Sequence, residues 1–167
     1  MRLREYSGGD LGAIFALDQV CFTSPFRFSA RAMQQFAEAR NALTVVAEDE
    51  ASGEIAGFCI AHIERARKGL VTYVVTLDVA PGYRRHGLAK QMIESIEQQA
   101  LDADCDSVEL HVWVENNAAI AFYEREGYER SHLVKSFYGL GRHAYVYRKP
   151  LESAARHAEE CTAFLKV

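Results

Sequence analysis

"PGYRRHGLAKQM", residues 81–92, decides how this chain is read. Pro81-Gly82 closes the stretch before it, and the stretch after it has helical spacing: Leu88, Met92, Ile93, Ile96 and Ala100 form one apolar stripe over residues 86–103. Arg84, Arg85 and His86 therefore stand at a helix start. Cations are disfavoured there by the positive end of the helix dipole, so the cluster serves something other than the helix. A helix start offers free backbone N–H groups, a glycine such as Gly87 lets a ligand approach the backbone, and arginines add charge-assisted hydrogen bonds to phosphate. Strand, "PGYRRHGLA" and helix together predict a pyrophosphate cradle. The loop is neither a G-x-G-x-x-G fingerprint nor a Walker loop.

Upstream, "LVTYVVTLDVA" (70–80) is rich in β-branched residues and reads as a long strand. Downstream, "SVELHVWV" (107–114) alternates as a strand, with Val108, Leu110, Val112 and Val114 on one face and Glu109, His111 and Trp113 on the other. "NNAAIAFYERE" (116–126) reads as a helix closed by Gly127, and "YERSHLVKSFY" and "RHAYVYRKPL" as a final antiparallel pair. Before the central strand, "MRLREYS" reads as a first strand. Asp10 is placed to cap a helix to about Cys21, and Ser29 a second helix to about Ala39. "ALTVVAED" and "EIAGFCIAHIER" form a hairpin turning at Ala51-Ser52-Gly53. The order is β-α-α-β-β-β-α-β-α-β-β. It implies an α/β (α+β) domain over 1–150, with a mixed sheet of about six to seven strands flanked by about four helices. The tail 151–167, "LESAARHAEECTAFLKV", reads as helical and carries no evident chemistry.

The chain has 167 residues and a net charge of −4, so the basic loop is a local feature of an acidic protein. That points to a small anion and against nucleic acid as a partner. Cys21, Cys59, Cys105 and Cys161 lie far apart without zinc spacing, and His62, His86, His132, His143 and His157 show no metal pattern, so no metal is expected. The cysteines read as free thiols in a reducing compartment. The start lacks an apolar signal core and no apolar run approaches a membrane span, so a cytoplasmic protein without a membrane partner is expected.

Arg84-x-x-Gly87-x-Ala89 resembles the coenzyme-A loop of the GNAT superfamily of N-acetyltransferases. "LHVWVENNAAIAFYEREGY" (110–128) resembles that superfamily's other hallmark: a strand, an asparagine, a helix with A-x-x-F/L-Y, then G-F/Y. Asn116, Ala119, Tyr123, Gly127 and Tyr128 stand on those places. The resemblance is tight over 71–128, looser over 1–70 and 129–150, and absent beyond. It implies a GNAT fold, acetyl-CoA as coenzyme, and direct attack of a primary amine on the thioester. Coenzyme contacts would come from Leu77, Asp78 and Val79 at a splayed strand end, from Arg84, Arg85, His86, Gly87, Leu88, Ala89 and Lys90 in the cradle, and from Asn116, Ala119 and Tyr123 on the last helix.

Acetyl transfer to an amine needs a base for the ammonium, donors for the developing oxyanion, and a proton for the leaving thiolate. By the resemblance, Tyr123 is the acid. His111 is the candidate base, paired with Tyr73 on the preceding strand as in eukaryotic N-terminal acetyltransferases that act on methionine-starting chains. Either His111 or Tyr73 is left as the group that takes the proton. Bacterial ribosomal-protein acetyltransferases typically carry a glutamate where His111 stands. "CFTSPFRFS" resembles the loop that walls the acceptor site, through Phe22, Pro25, Phe26 and Phe28, and Phe137-Tyr138 resembles an aromatic pair, usually Tyr-Tyr, that holds the peptide backbone. The acceptor expected is a protein or peptide N-terminus, with a small amine as the alternative. A sensor that binds acyl-CoA without turnover would need neither Tyr123, His111 nor Tyr73. Oligomeric state is not legible.

Overall fold

The computed structural model describes residues 1–152; the helix expected over 151–167 lies, from residue 153 on, outside the described residues. The elements are β1 (Arg2–Glu5), α1 (Leu11–Cys21), α2 (Ala30–Ala37), β2 (Ala42–Glu48), β3 (Ile55–Arg65), β4 (Leu70–Val79), α3 (Leu88–Asp102), β5 (Cys105–Trp113), α4 (Asn117–Arg125), β6 (Glu129–Val134) and β7 (Ala144–Pro150). This is the expected order. The seven strands form one sheet, β1-β2-β3-β4-β5-β7-β6. Every neighbouring pair is antiparallel except β4–β5.

The sheet is covered on both faces. On one, Leu88, Met92, Ile93, Ile96 and Ala100 of α3 pack with Val45, Cys59, Val74, Leu110 and Val112. On the other, Ile14 and Leu17 of α1 and Met33 and Ala37 of α2 pack with Val46, Phe58 and Ile60. Hence β2 and β3 carry unbroken buried runs, where β4 and β5 largely alternate. Gly57 on β3 lets α3 sit this close, since a Cβ there would lie 2.8 Å from Asp78 O and 2.9 Å from Met92 Cε.

The feature that creates the site is a failure of pairing. β4 and β5 pair only from Leu70/Cys105 to Val74/Leu110, although β4 continues to Val79 and β5 to Trp113. On the other side of β4, Ile60 opposes Thr76 and Ala61 opposes Val74, so Val75 is a bulge. A bulge adds twist and bends its strand away. It also shifts the alternation by one: Val74 faces the α3 core, Val75 the α1–α2 core, and Leu77 and Val79 the α3 core again. Past the bulge the two parallel strands diverge and leave a gap in the sheet.

Two local expectations are corrected. α3 begins at Leu88 rather than 86, because Gly87 (φ +78°) and Arg85 (φ +65°) hold the preceding loop in left-handed conformations. Asp10 precedes α1 but makes no side-chain cap to it. Its carboxylate turns back, accepting from Ser7 N at 2.8 Å and from both terminal nitrogens of Arg4 at 2.8 and 2.9 Å. A bidentate charged pair outweighs a single cap bond. Ser29 does cap α2, accepting from Ala32 N at 3.1 Å.

Candidate active site

Two cavities meet at the divergence of β4 and β5. The larger, about 600 Å³, runs along the end of β4 past the 81–90 loop to α4, touching Leu77, Asp78, Val79, Arg84, Arg85, Gly87, Leu88, Ala89, Lys90 and Phe122. The smaller, about 390 Å³, is walled by Phe22, Phe26 and Phe28, by β4 from Val74 to Leu77, by β5 from Leu110 to Trp113, and by Glu115 and Tyr138. Cys21, Phe22, Leu77, Asn116, Ala119 and Tyr123 belong to both and form the neck between them.

The larger cavity has the means to hold phosphate. The first helical hydrogen bond of α3 runs from Gln91 N to Gly87 O, so the N–H groups of residues 88–90 have no partner within the helix. Arg84 Nε donates to Val79 O at 2.9 Å, which anchors the guanidinium beside the strand end, and Arg85 is exposed. Lys90 is already held by Glu94 and Glu126, each at 2.8 Å, so its charge is largely offset. A Cβ on Gly87 would meet nothing within 4 Å, so its left-handed backbone, not crowding, is what calls for glycine. Leu88 is buried in the α3 core and offers the cavity little beyond its backbone. His86 is exposed and stands outside the lining.

At the neck, Tyr123 is 7% exposed, packed against the rings of Phe122 and Tyr128. Burial pushes its phenol well above the ordinary tyrosine range, so it keeps its proton. The position follows from α4: Asn116 Oδ1 accepts from Ala119 N at 3.1 Å and starts the helix, and Tyr123 falls two turns later on the same face. Asn116 thus has a structural duty as well as a place on the neck.

His111 lines the smaller cavity, and Tyr73, which does not, brings its Oη to 3.1 Å from His111 Nδ1 across the last paired rungs of β4 and β5. Phe137 stacks on the imidazole at 3.8 Å with planes 5° apart, and Tyr138 Oη donates to His111 O at 3.0 Å. Phe26 packs against Trp113 at 5.0 Å and against Tyr138 at 5.2 Å. Burial lowers the pKa of His111 below that of an ordinary imidazole and pushes the Tyr73 phenol up to about 12. The ring is therefore neutral near pH 7, and Tyr73 is a protonated phenol. Pro25 is exposed, in the short turn Ser24–Phe26, and does not line this cavity.

Trp113, Glu115 and Cys21 are among the lining residues that were not singled out from sequence. Trp113 shares the His111 face of β5, so alternation alone could have found it. Glu115 sits in the turn after β5, where Asn116 N donates to Trp113 O at 2.9 Å, so strand alternation does not reach it. Cys21 had no local signal; the closure of α1 over β4 brings its thiol to Val79 O at 3.4 Å.

The chain matches the model of the acetyltransferase (GNAT) family over residues 11–128. It belongs to that family. Among curated relatives, an N-alpha-acetyltransferase of Saccharolobus solfataricus is 35% identical over 86 residues, covering 51% of this chain and 50% of that protein. The N-terminal acetyltransferase A complex catalytic subunit NAA10 of Arabidopsis thaliana is 31% identical over 118 residues, covering 69% and 60%. The chain thus spans about half the length of the curated relatives it matches. Among solved structures, Chaetomium thermophilum Naa20 in complex with a bisubstrate analogue superposes with a TM-score of 0.78 at 27% identity, covering 93% of this chain and 90% of that one. Acetyl-CoA is the coenzyme of GNAT acetyltransferases. The larger cavity fits it on two counts: free N–H groups and arginines for its phosphates, and an unpaired strand edge on β4 for its pantetheine. Among the described residues no helix is long and apolar enough to cross a membrane.

Proposed function

We propose that this chain transfers acetyl from acetyl-CoA to the α-amino group of a peptide or protein N-terminus. The observation that carries this reading is the neutral, aromatic-walled His111, hydrogen-bonded to Tyr73 and facing a cleft that joins the coenzyme cavity at Tyr123. Acetyl-CoA supplies the acyl group as an activated thioester, and the chain supplies proton transfer and positioning.

His111 is the base. Tyr73, pushed up to about 12, cannot accept a proton at neutral pH. If Nδ1–H donates to the Tyr73 oxygen, Nε2 is left with a free lone pair for the incoming ammonium. Basicity also selects the amine. An α-ammonium, at about 8, is within reach of an imidazole below 6.5, whereas a lysine ammonium, at about 10.4, is far less so. As the amine nitrogen bonds to the carbonyl carbon, backbone N–H groups of the unpaired β4 edge at Leu77–Val79 stand ready to receive the oxyanion. As the carbon–sulfur bond breaks, the Tyr123 hydroxyl gives its proton to the departing thiolate. The names of the relatives, and the bisubstrate analogue held by Naa20, support the same acceptor class.

The test is acetylation of a mixed library of short peptides, varied in the first two residues and carrying internal lysines, read by mass spectrometry. Acetyl groups on α-amines with a preferred first residue are expected. Acetyl groups on lysine side chains alone, or on small amines alone, would overturn the reading.

A further inference from the structure

Among the described residues the lining of the smaller cavity contains one carboxylate, Glu115, and no lysine or arginine. Glu115 is exposed, and among the described residues no hydrogen bond or ion pair engages its side chain. It follows β5 in the turn that Asn116 N closes on Trp113 O at 2.9 Å, four residues after His111, and both side chains line this one cavity. The rings of Phe26, Trp113 and Tyr138 line the same cavity, and aromatic faces attract cations. The charge in this lining is thus negative, on a chain whose net charge is already −4, and favours a cationic acceptor.

We propose that Glu115 selects acceptors with a lysine or arginine at the second to fourth position of the chain that is acetylated. A peptide whose amine lies at His111 enters the cavity that Glu115 also lines, and at about 3.3 Å per residue its second to fourth residues are the ones that stay close to it. This rests on the N-terminal reading above and adds to it a charge preference.

The experiment uses matched peptides with one first residue and Lys, Gln or Glu at positions two to four. They are assayed by α-acetylation with the wild-type chain, Glu115→Gln and Glu115→Lys. Ratios are taken within each variant, so they do not depend on its total activity, and acetyl-CoA binding checks that each variant is folded. In the wild type, Lys should exceed Gln by about three- to fivefold in kcat/KM, the scale of one exposed ion pair. Lys should exceed Glu by about tenfold, and both ratios should shrink as salt is raised. The preference should fall to near one in Glu115→Gln and reverse in Glu115→Lys. Efficient α-acetylation without charge preference, or a preference unchanged in Glu115→Gln, would overturn the proposal. Absence of α-acetylation from every peptide, with acetyl-CoA bound, would instead overturn the N-terminal reading on which it rests.

Discussion

His111 and Tyr123 owe their proposed chemistry to where the fold buries them. An imidazole in water is half charged near pH 6.5; under Phe137 and against Tyr73 the charged form is disfavoured, so the ring stays available as a base to lower pH. The acid limb of kcat/KM should therefore fall below 6.5. Activity is lost as pH drops through that limb, because protonation removes the lone pair. Measured with one peptide across pH 5–9, His111→Gln should lack this limb and retain the alkaline rise that reports the acceptor amine. A limb unchanged in His111→Gln would remove His111 from the base role. Tyr123 is the converse case, a group kept protonated by burial at the neck. Tyr123→Phe preserves ring packing and removes one hydroxyl. It should lower kcat by roughly a hundredfold, in the range for a lost general acid, with acetyl-CoA affinity by calorimetry within about twofold. Equal losses in affinity and turnover would assign the hydroxyl to coenzyme binding instead.

At the scale of elements, the close seat of α3 on the sheet depends on one residue that has no side chain. Gly57→Ala drives a Cβ into the Asp78 carbonyl and the Met92 methyl, and the former is backbone that cannot rotate away. A loss of about 2–3 kcal/mol is expected in urea denaturation, the range of overpacking. Gly12→Ala, in α1 with nothing within 4 Å of the added carbon, should instead gain about 0.5–1 kcal/mol from helix propensity. Equal effects of the two would show that α3 can move. Elements governed by local pattern were the legible ones. All five members of the stripe from Leu88 to Ala100 are buried, because helical periodicity and burial are the same fact. The bulge at Val75 was not legible, since it is a register relation between Ile60–Ala61 and Val74–Thr76 that neither strand records alone. Asp10 was misplaced for a similar reason: Arg4, on a different element, competes for its carboxylate.

At the scale of the whole molecule, residues from distant parts of the chain produce properties that no segment announces. The neck joins Cys21, Leu77 and Tyr123, and beside it α1 and β4 trap two carboxyls. Asp18 is fully buried; one oxygen accepts from Phe28 N and Gln19 Nε2, while the other has no partner among the described residues. Asp78 is 1% exposed; one oxygen accepts from Thr76 Oγ1, and Oδ2 has no partner among the described residues. Burial raises Asp78 to about 7, the Thr76 hydrogen bond works against that rise, and Asp18 adds to it; Arg84 is the cation that opposes it, and Cys21 and Cys59 are the thiols in its field. Asp18 is raised by burial as well. The folded protein therefore holds a proton on Asp78 that the unfolded chain, with an ordinary value near 3.8, has released. Through Asp78 the native state binds more protons than the unfolded state between about pH 4 and 7, so this group's contribution to stability falls as pH rises through that window and levels off above it, while His111, lowered by burial, acts in the opposite sense just below pH 6.5. Asp10, lowered by Arg4, also opposes Asp78 but only below about pH 4, so those two do not overlap. Asp78→Asn imitates the protonated side chain at every pH. It should exceed the wild type by about 1–2 kcal/mol at pH 5 and by roughly 4 kcal/mol at pH 8, the difference being what the wild type loses between them. Urea unfolding at both values reads this directly, and a wild type as stable at pH 8 as at pH 5, with no gain from Asp78→Asn, would mean that Asp78 is ionised in the folded state without cost.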